Sequence, residues 1–347
     1  MNSITNFPLI SVVIPNHNGS GFLESCLRSL QSQTYRKMEI IVVDNASRDD
    51  SIKIARSTAP GTILLQKDRN FGFAGAVNAG IQCSSGDWIA VLNNDTEVPP
   101  DWLAECARAI QEHPDAAFFA CRILDIADRN RIYSAGDCFL RAGIGYRRGQ
   151  EQQDRPEFSR ECRIFSASGC AALYRRKVLE RTGGFEERFF AYLEDVELGL
   201  RLQAAGFSGY YLPRAEVYHH GAGTSGGEFS RLAVRLRTRN SLLLLLKTVP
   251  GKFLLRCWPM IILAQLSWIL RTIAHGRMGS YLRGLASAFR LAPAMIKERA
   301  RLRPVWRSSG ESFWQEILNS ESLARRDFIP ARAGSGSLFL RWYFRLF

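Results

Sequence analysis

Short apolar runs that end abruptly in polar residues constrain the fold of this 347-residue chain more than any other feature. The clearest run covers residues 88–92 and stops at Asn93, Asn94 and Asp95. Its length and composition are typical of a buried strand. Similar runs at residues 9–14, 39–43 and 62–65 alternate with helical segments. This alternation over the first 125 residues predicts an α/β fold with a doubly wound, mostly parallel sheet flanked by helices.

Polar residues at the ends of the predicted strands indicate where a ligand binds. In open α/β sheets, ligands bind at the carboxyl ends of the strands. The second run ends at Asp44 and the fourth ends at Asp95, which follows two amide side chains. Carboxylate and amide oxygens are suitable ligands for Mg²⁺ or Mn²⁺. The alternative is a polar turn that caps the backbone before Pro99 and Pro100.

Three later segments carry further candidate groups. Glu194 and Asp195 open a predicted helix, whose dipole favours carboxylates there and keeps them ionised, as a general base requires. His219 follows a strand and precedes a Gly-rich loop, so it is a candidate metal or phosphate contact, or else an ordinary loop histidine. The Gly-rich segment 69–80 fits either a phosphate contact or a packing device. We expect the polar segment 125–160 to form a long insertion or loop over the site.

The chain has a net charge of +13, and the excess of basic over acidic residues lies in its last third. Residues 231–347 hold 21 Lys and Arg against 5 Asp and Glu, whereas residues 1–230 hold 25 against 28. This asymmetry predicts an anionic surface as partner. The apolar stretch 257–270 would span about 21 Å, short of the ~30 Å hydrocarbon core. Interleaved basic residues favour helices that lie in the membrane interface, and the alternative is a basic helical hairpin packed on the body.

The chain is therefore predicted to divide into a catalytic domain over residues 1–230 and a basic, apolar, membrane-associating helical region over 231–347.

The eight cysteines form no C-x-x-C pair and predict reduced thiols of a cytosolic protein. The first residues lack the features of a signal peptide. No nucleic-acid-binding module is recognised, so nucleic acid is not an expected partner. The expected location is the cytoplasmic face of the inner membrane, as a peripheral protein.

The order of these motifs resembles a known family. The sequences VVIPNHNG at 12–19, VVDNAS at 42–47, RNFGFAG at 69–75, LNND at 92–95, GGF at 183–185 and VYH at 217–219, together with Glu194, Asp195 and Arg201, carry the resemblance. It covers about residues 8–228. They resemble the family 2 inverting glycosyltransferases of the GT-A fold, in particular the bacterial rhamnosyltransferase-like branch that builds cell-surface polysaccharides.

The resemblance implies a set of donor contacts. Pro15 and Asn18 would line the nucleotide pocket, and Asp44 would contact the uracil or thymine base or the ribose. Asn70 and Gly75 would lie near the diphosphate or the sugar.

The resemblance also implies metal-binding and catalytic residues. Asn93, Asn94 and Asp95 would form this chain's version of the Asp-X-Asp metal motif. In it Asp95 binds Mg²⁺ or Mn²⁺, and Asn93 stands in place of the first carboxylate. His219, or the adjacent His220, would be a later metal or diphosphate contact. Asp195, next to Glu194, would be the catalytic base.

The implied reaction is transfer of a sugar from a UDP- or dTDP-sugar to a hydroxyl of a lipid-linked or other glycan acceptor, by a single in-line displacement. One alternative is a nucleotidyltransferase that makes the sugar nucleotide. The chain has no Gly-rich loop bearing Arg or Lys directly after the first strand, which argues against it. The other alternative is a catalytically silent, membrane-bound adaptor that binds nucleotide sugars.

Overall fold

The computed structural model describes residues 7–221, 227–306, 310–328 and 335–347. Strands and helices alternate through the first part of the chain: β1 (Ile10–Asn16), α1 (Leu23–Gln31), β2 (Met38–Asp44), α2 (Ser51–Thr58), β3 (Ile63–Gln66), α3 (Gly72–Cys83), β4 (Trp88–Leu92), β5 (Thr96–Glu97), α4 (Trp102–Glu112) and β6 (Phe118–Asp125). Strands β3, β2, β1 and β4 are neighbours in that order and run parallel. Strand β4 is buried throughout, which explains its uninterrupted apolar sequence.

An antiparallel strand interrupts this parallel arrangement. The chain continues through β7 (Arg131–Ser134), β8 (Asp137–Leu140), β9 (Ile144–Arg147), β10 (Gln152–Gln153), β11 (Cys162–Ile164), β12 (Ala171–Arg175), α5 (Arg176–Thr182), α6 (Glu194–Ala204) and β13 (Gly209–His219). Strand β12 lies between β4 and β6 and runs antiparallel to both. The sheet is therefore mixed around a parallel centre, because β12 arrives by a long excursion and not by a crossover helix.

The segment 125–160, which we expected to be a long insertion or loop over the site, is a folded insertion. It contains strands β7 to β10, and β8 and β9 form a separate two-stranded hairpin. Ile132, Cys138, Phe139 and Leu140 are buried and hold this segment against the body. The sequence did not reveal these strands because the few apolar residues are spaced among many polar ones. The segment does cover the carboxyl ends of the sheet strands, as expected.

Five helices follow the sheet: α7 (Arg231–Thr248), α8 (Gly251–Ala274), α9 (Met278–Leu302), α10 (Gly310–Asp327) and α11 (Ser335–Leu346). Helix α7 packs against α6 and α9, and α10 packs against β8. Phe189 and Val196 of the body share one hydrophobic core with Leu244, Met295 and Trp314 of these helices. The helical region is therefore packed on the body, and the domain boundary at residue 230 stays a prediction.

Helix α8 is longer than its apolar centre suggested. It has 24 residues, which corresponds to about 36 Å. Lys252 and Arg256 lie within it and do not end it, so the predicted 14-residue segment was too short. Within the described residues, it is the one helix whose length and composition would allow it to cross a membrane.

Buried ion pairs connect α6 to α7. Lys247 Nζ lies 2.7 Å from Glu186 Oε2 and 2.9 Å from Glu197 Oε1. Arg201 donates to Glu197 at 2.8 Å and also to the carbonyl oxygens of residues 182–184. Removing one partner of a buried ion pair typically costs 3–5 kcal/mol. The helix that begins with Glu194 is therefore firmly positioned.

Candidate active site

A cavity of about 1300 Å³ opens where the central strands end. Its walls come from the ends of β1 and β4, the β8–β9 hairpin, the segment before α6, the end of β13, and helices α7, α8 and α11. Eight of the eleven predicted site residues line it: Pro15, Asn70, Asn93, Asn94, Asp95, Glu194, Asp195 and His219. Residues that are far apart in the sequence thus face one space.

The cavity lining does not include the other three predicted residues, Asn18, Asp44 and Gly75. Asn18 is exposed and accepts a hydrogen bond from the backbone N–H of Arg48. Gly75 is buried within α3, where an added Cβ would meet Phe71 at 2.7 Å. The substrate contacts assigned to these residues stay predictions.

Asp44 supports the cavity wall from behind. It is buried, and its Oδ1 accepts a hydrogen bond from Asn16 Nδ2 at 3.1 Å. Asn94 Nδ2 in turn donates to Asn16 Oδ1 at 2.6 Å. This network joins the ends of β1, β2 and β4, so it fixes two cavity-lining amides, Asn16 and Asn94, relative to each other.

Asp95 and His219 form a buried pair at the cavity. Asp95 Oδ1 and His219 Nε2 lie 3.1 Å apart, and Tyr133 packs edge-on against the imidazole. Burial opposes ionisation of Asp95, but the neighbouring imidazole outweighs it and lowers the pKa of the carboxyl below its ordinary value. His220 instead packs against Phe22. The structure therefore brings the imidazole of His219, and not that of His220, against the Asp95 carboxylate, while the His220 N–H donates to the Asp95 carbonyl oxygen.

The Asp95–His219 pair fits a divalent metal. The two atoms are close but lack hydrogen-bond geometry, so Asp95 Oδ1 is buried without a hydrogen-bond donor. Adjacent ligands about 2.1 Å from an octahedral ion lie roughly 3 Å apart, which matches their separation. The carboxylate oxygen suits both Mn²⁺ and Mg²⁺, while the imidazole nitrogen, a ligand of transition metals, favours Mn²⁺ of the two.

The two carboxylates that open α6 have different environments. Asp195 Oδ2 accepts a hydrogen bond from the Gly169 N–H at 2.9 Å, and Oδ1 accepts one from the Val196 N–H at 2.8 Å. Glu194 is buried, and burial together with the charge of Asp195 raises its pKa well above the ordinary value. Of the two, Glu194 therefore holds a proton more tightly, and Asp195, whose carboxylate is oriented by two backbone amides, is the member placed to act as a base.

An unusual backbone segment places Asp195. Phe190, Tyr192 and Leu193 all have positive φ angles, between 66° and 69°. Such conformations cost about 1–3 kcal/mol each and persist only where the surroundings impose them. Asn240 Nδ2 of α7 lies 2.7–3.0 Å from the carbonyl oxygens of residues 189, 191 and 192. Helix α7 thus holds the strained segment from outside.

Several cavity residues were missed by the sequence reasoning. Asp137 and Arg147 come from the β8–β9 hairpin, and Arg237, Trp268 and Arg271 come from α7 and α8. The hairpin residues lie in the segment that we expected to be a long insertion or loop, and no strand was predicted there. The helical residues lie in the region whose charge we assigned to a membrane surface. Asp137 could have been predicted as a site residue, because its carboxylate stands directly before the apolar residues 138–140.

Comparison with known proteins agrees with this geometry. Residues 11–183 match the family described as glycosyl transferase family 2. The chain is 31% identical over 241 residues to N-acetylglucosaminyl-diphospho-decaprenol L-rhamnosyltransferase of Mycobacterium tuberculosis, covering 63% of this chain and 78% of the relative. This chain belongs to glycosyltransferase family 2. The enzyme is a sugar transferase, and the predicted family is confirmed.

Solved structures confirm the predicted GT-A-like fold of this family 2 glycosyltransferase. GalNAc-T7 with UDP, GalNAc and Mn²⁺ superposes with a TM-score of 0.66 at 16% identity, over 92% of this chain and 58% of the solved one. The mannosyltransferase PcManGT of Pyrobaculum calidifontis, solved with GDP-Man and Mn²⁺, has a TM-score of 0.51 at 17% identity, over 90% and 88%. At these identities the likeness concerns the fold alone.

Asp137 gives this site a measurable pH signature. Burial, with the charge of Asp195, raises its pKa to about 7. The folded state therefore keeps a proton that the unfolded chain loses above about pH 4, so this group's contribution to stability falls as pH rises from 4 to 7. Relative to Asp137→Asn, the wild-type free energy of unfolding should fall by roughly 2.5 kcal/mol between pH 5 and pH 8 in urea titrations. Parallel changes in the two proteins would contradict this assignment.

Proposed function

We propose that this enzyme is an inverting glycosyltransferase that moves a sugar from a UDP- or dTDP-sugar to a hydroxyl of a lipid-linked glycan acceptor in cell-surface polysaccharide synthesis. The observation that carries the proposal is the opening of Asp195 and the Asp95–His219 pair into one cavity. The decaprenol-linked substrate in the name of the mycobacterial relative supports the acceptor class.

Asp195 is the proposed general base. Its carboxylate takes the proton of the acceptor hydroxyl as that oxygen bonds to the anomeric carbon, and the bond to the nucleoside diphosphate breaks in the same step. The Gly169 and Val196 amides orient the carboxylate, while the raised pKa of Glu194 makes that residue the less suited to the role. Gly169 permits the close packing, because a Cβ there would lie 2.9 Å from Phe73.

Asp95 and His219 are the proposed ligands of Mg²⁺ or Mn²⁺. A divalent ion supplies positive charge that stabilises the leaving diphosphate. Asn93 and Asn94 border the same space and are placed to contact the donor. The Asn16–Asp44 hydrogen bond fixes the wall on which the nucleotide would rest.

Substitutions should separate the base from the metal site. Asp195→Asn should lower turnover by about 10²–10⁴-fold, because general-base catalysis contributes that much, while Mn²⁺-dependent binding of UDP or dTDP stays near wild type. Asp95→Ala should instead weaken that binding. Product formation by chromatography and nucleotide binding by calorimetry measure the two effects.

Glu194→Gln is the matched control for Asp195→Asn. Because burial raises the pKa of Glu194 and so favours its uncharged form, the amide should cost less than about tenfold in turnover. A larger loss for Glu194→Gln than for Asp195→Asn would reverse the assignment. Absence of sugar transfer by the wild type to every lipid-linked acceptor tried, with donor binding intact, would instead favour the adaptor hypothesis.

We also propose that the C-terminal helices rest on an anionic membrane at its cytoplasmic face. Three neighbouring helices carry exposed apolar stripes at helical spacing. These stripes are Leu255, Trp258, Ile262, Leu266, Leu270 and Ile273 of α8, Leu282, Phe289 and Ile296 of α9, and Leu338, Trp342 and Leu346 of α11. Exposed Lys252, Arg256, Arg283 and Arg290 lie on the same helices. Apolar faces flanked by basic residues are typical of helices in the membrane interface.

The position of α8 supports a peripheral and not a spanning arrangement. Gln265, Trp268 and Arg271 line the cavity, and Arg271 pairs with Glu228 at 3.2 Å. One side of the helix thus belongs to the site, while the other is exposed. All eight cysteines are free thiols, which is consistent with a reducing cytoplasm.

The apolar stripe of α8 should control vesicle binding. In flotation with phosphatidylglycerol vesicles, the full chain bearing Leu255→Gln and Leu266→Gln should bind at least about tenfold more weakly, because each leucine contributes more than 1 kcal/mol when buried. The control Ile63→Gln changes an exposed apolar residue of β3 and should bind like wild type. Equal binding of all three proteins would contradict the membrane proposal.

A further inference from the structure

We propose that Arg147, Arg237 and Arg271 form a binding site for the diphosphate of a prenyl-diphosphate-linked acceptor. The three side chains line the cavity on the side built by the β8–β9 hairpin and helices α7 and α8. The inference rests on the proposed function and deepens it, because it names where the lipid-linked substrate is held.

The cluster has an excess of positive charge. Glu228 Oε1 lies 3.1 Å from Arg237 Nη1 and 3.2 Å from Arg271 Nη2, so two guanidinium groups share one carboxylate. Among the side chains that the structure describes, none forms an ion pair with Arg147, and the charges of Asp137 and Asp195 act on it from a greater distance. Three guanidinium groups facing one cavity with one paired carboxylate favour an anionic ligand.

Aromatic rings orient the three guanidinium groups without neutralising them. The guanidinium carbon of Arg147 lies 4.5 Å from the centre of the Tyr133 ring. The corresponding distance is 5.1 Å from Arg237 to Tyr192 and 4.9 Å from Arg271 to Phe229. Arginines stacked in this way retain hydrogen-bond donors in a fixed fork that suits phosphate oxygens.

The surroundings select a prenyl diphosphate over a nucleoside diphosphate. The cavity is also lined by apolar residues of the C-terminal helices, including the two helices that carry Arg237 and Arg271: Leu232, Leu244, Ala264, Trp268, Phe339 and Leu340. A nucleoside diphosphate has no hydrocarbon chain to cover this wall, whereas a prenyl diphosphate has one. In the proposed donor site, Asp95 lies between β4 and β5 and His219 ends β13, so both residues belong to parts of the chain other than α7 and α8.

The cluster also connects to the proposed base. Tyr192, which stacks with Arg237, belongs to the strained segment that leads to Asp195. Arg147 is within electrostatic range of Asp195. A diphosphate held here would place the first sugar of the acceptor, and therefore its hydroxyl, toward Asp195.

Calorimetric titration of the full chain with farnesyl diphosphate tests the site. Arg237→Gln and Arg271→Gln should each weaken binding by about tenfold or more, because charge-assisted hydrogen bonds to phosphate are lost. Arg56→Gln, an exposed arginine of α2, is the matched control and should bind like wild type. Arg271→Lys keeps the positive charge but loses the planar guanidinium donors that bind two phosphate oxygens at once. This variant tests the site if the glutamine variant does not fold.

Two further ligands separate binding of a prenyl diphosphate from binding of a nucleoside diphosphate and from binding of the hydrocarbon chain alone. UDP or dTDP with Mn²⁺ should bind the arginine variants like wild type, and farnesol should bind all proteins weakly. Unchanged farnesyl diphosphate binding in the variants, or a loss of nucleotide binding equal to the loss of prenyl diphosphate binding, would overturn the inference. Failure of the wild type to bind any nucleoside diphosphate would instead refute the proposed function.

Discussion

The strained segment before α6 is the constraint on which the site depends. Phe190, Tyr192 and Leu193 adopt conformations that cost free energy, and they do so directly before Glu194 and Asp195. Gly72 accommodates this segment, because a Cβ at that position would lie 2.3 Å from the carbonyl oxygen of Phe190. Side chains of α7, which follows the sheet in the sequence, maintain this strained conformation.

Asn240 provides that restraint, assisted by Arg239, whose Nη2 donates to the carbonyl oxygen of Phe189 at 2.6 Å. Lys247, about two helical turns further along α7, forms ion pairs with Glu186 and Glu197. Helix α7 is therefore part of the active-site scaffold as well as part of the basic C-terminal region. Removing residues 231–347 would take away these restraints together with the exposed apolar stripes, so substitutions on exposed positions are the informative test of membrane binding.

Environment assigns different states to carboxyl groups that share one cavity. His219 keeps the pKa of Asp95 low, whereas burial raises the pKa values of Asp137 and Glu194. Groups with separated pKa values can hold a cation, accept a proton or donate a hydrogen bond at the same pH. The cavity combines these functions because one wall is polar backbone at the strand ends and another is a packed helical layer.

Much of the fold was predictable from the sequence, since buried parallel strands are apolar throughout and stop where the ligand site begins. Asp95 and Asp195 were found because each follows or opens a clear element. The β8–β9 hairpin was missed because its apolar residues are few, and so Asp137 and Arg147 were missed with it. Arg237 and Arg271 were missed because charge composition cannot distinguish a cation that faces a cavity from one that faces a membrane.

Turnover of an Asn240→Ala variant is the most direct test of the claim that α7 holds the catalytic segment in place. Asn319→Ala, which changes an exposed amide of α10, is the control. If the claim is correct, kcat falls by about tenfold to a hundredfold under conditions where the variant is fully folded, because small displacements of a catalytic group have effects of that size. Mn²⁺-dependent nucleotide binding should stay unchanged. A folded Asn240→Ala variant that turns over like wild type and the Asn319→Ala control would contradict the account.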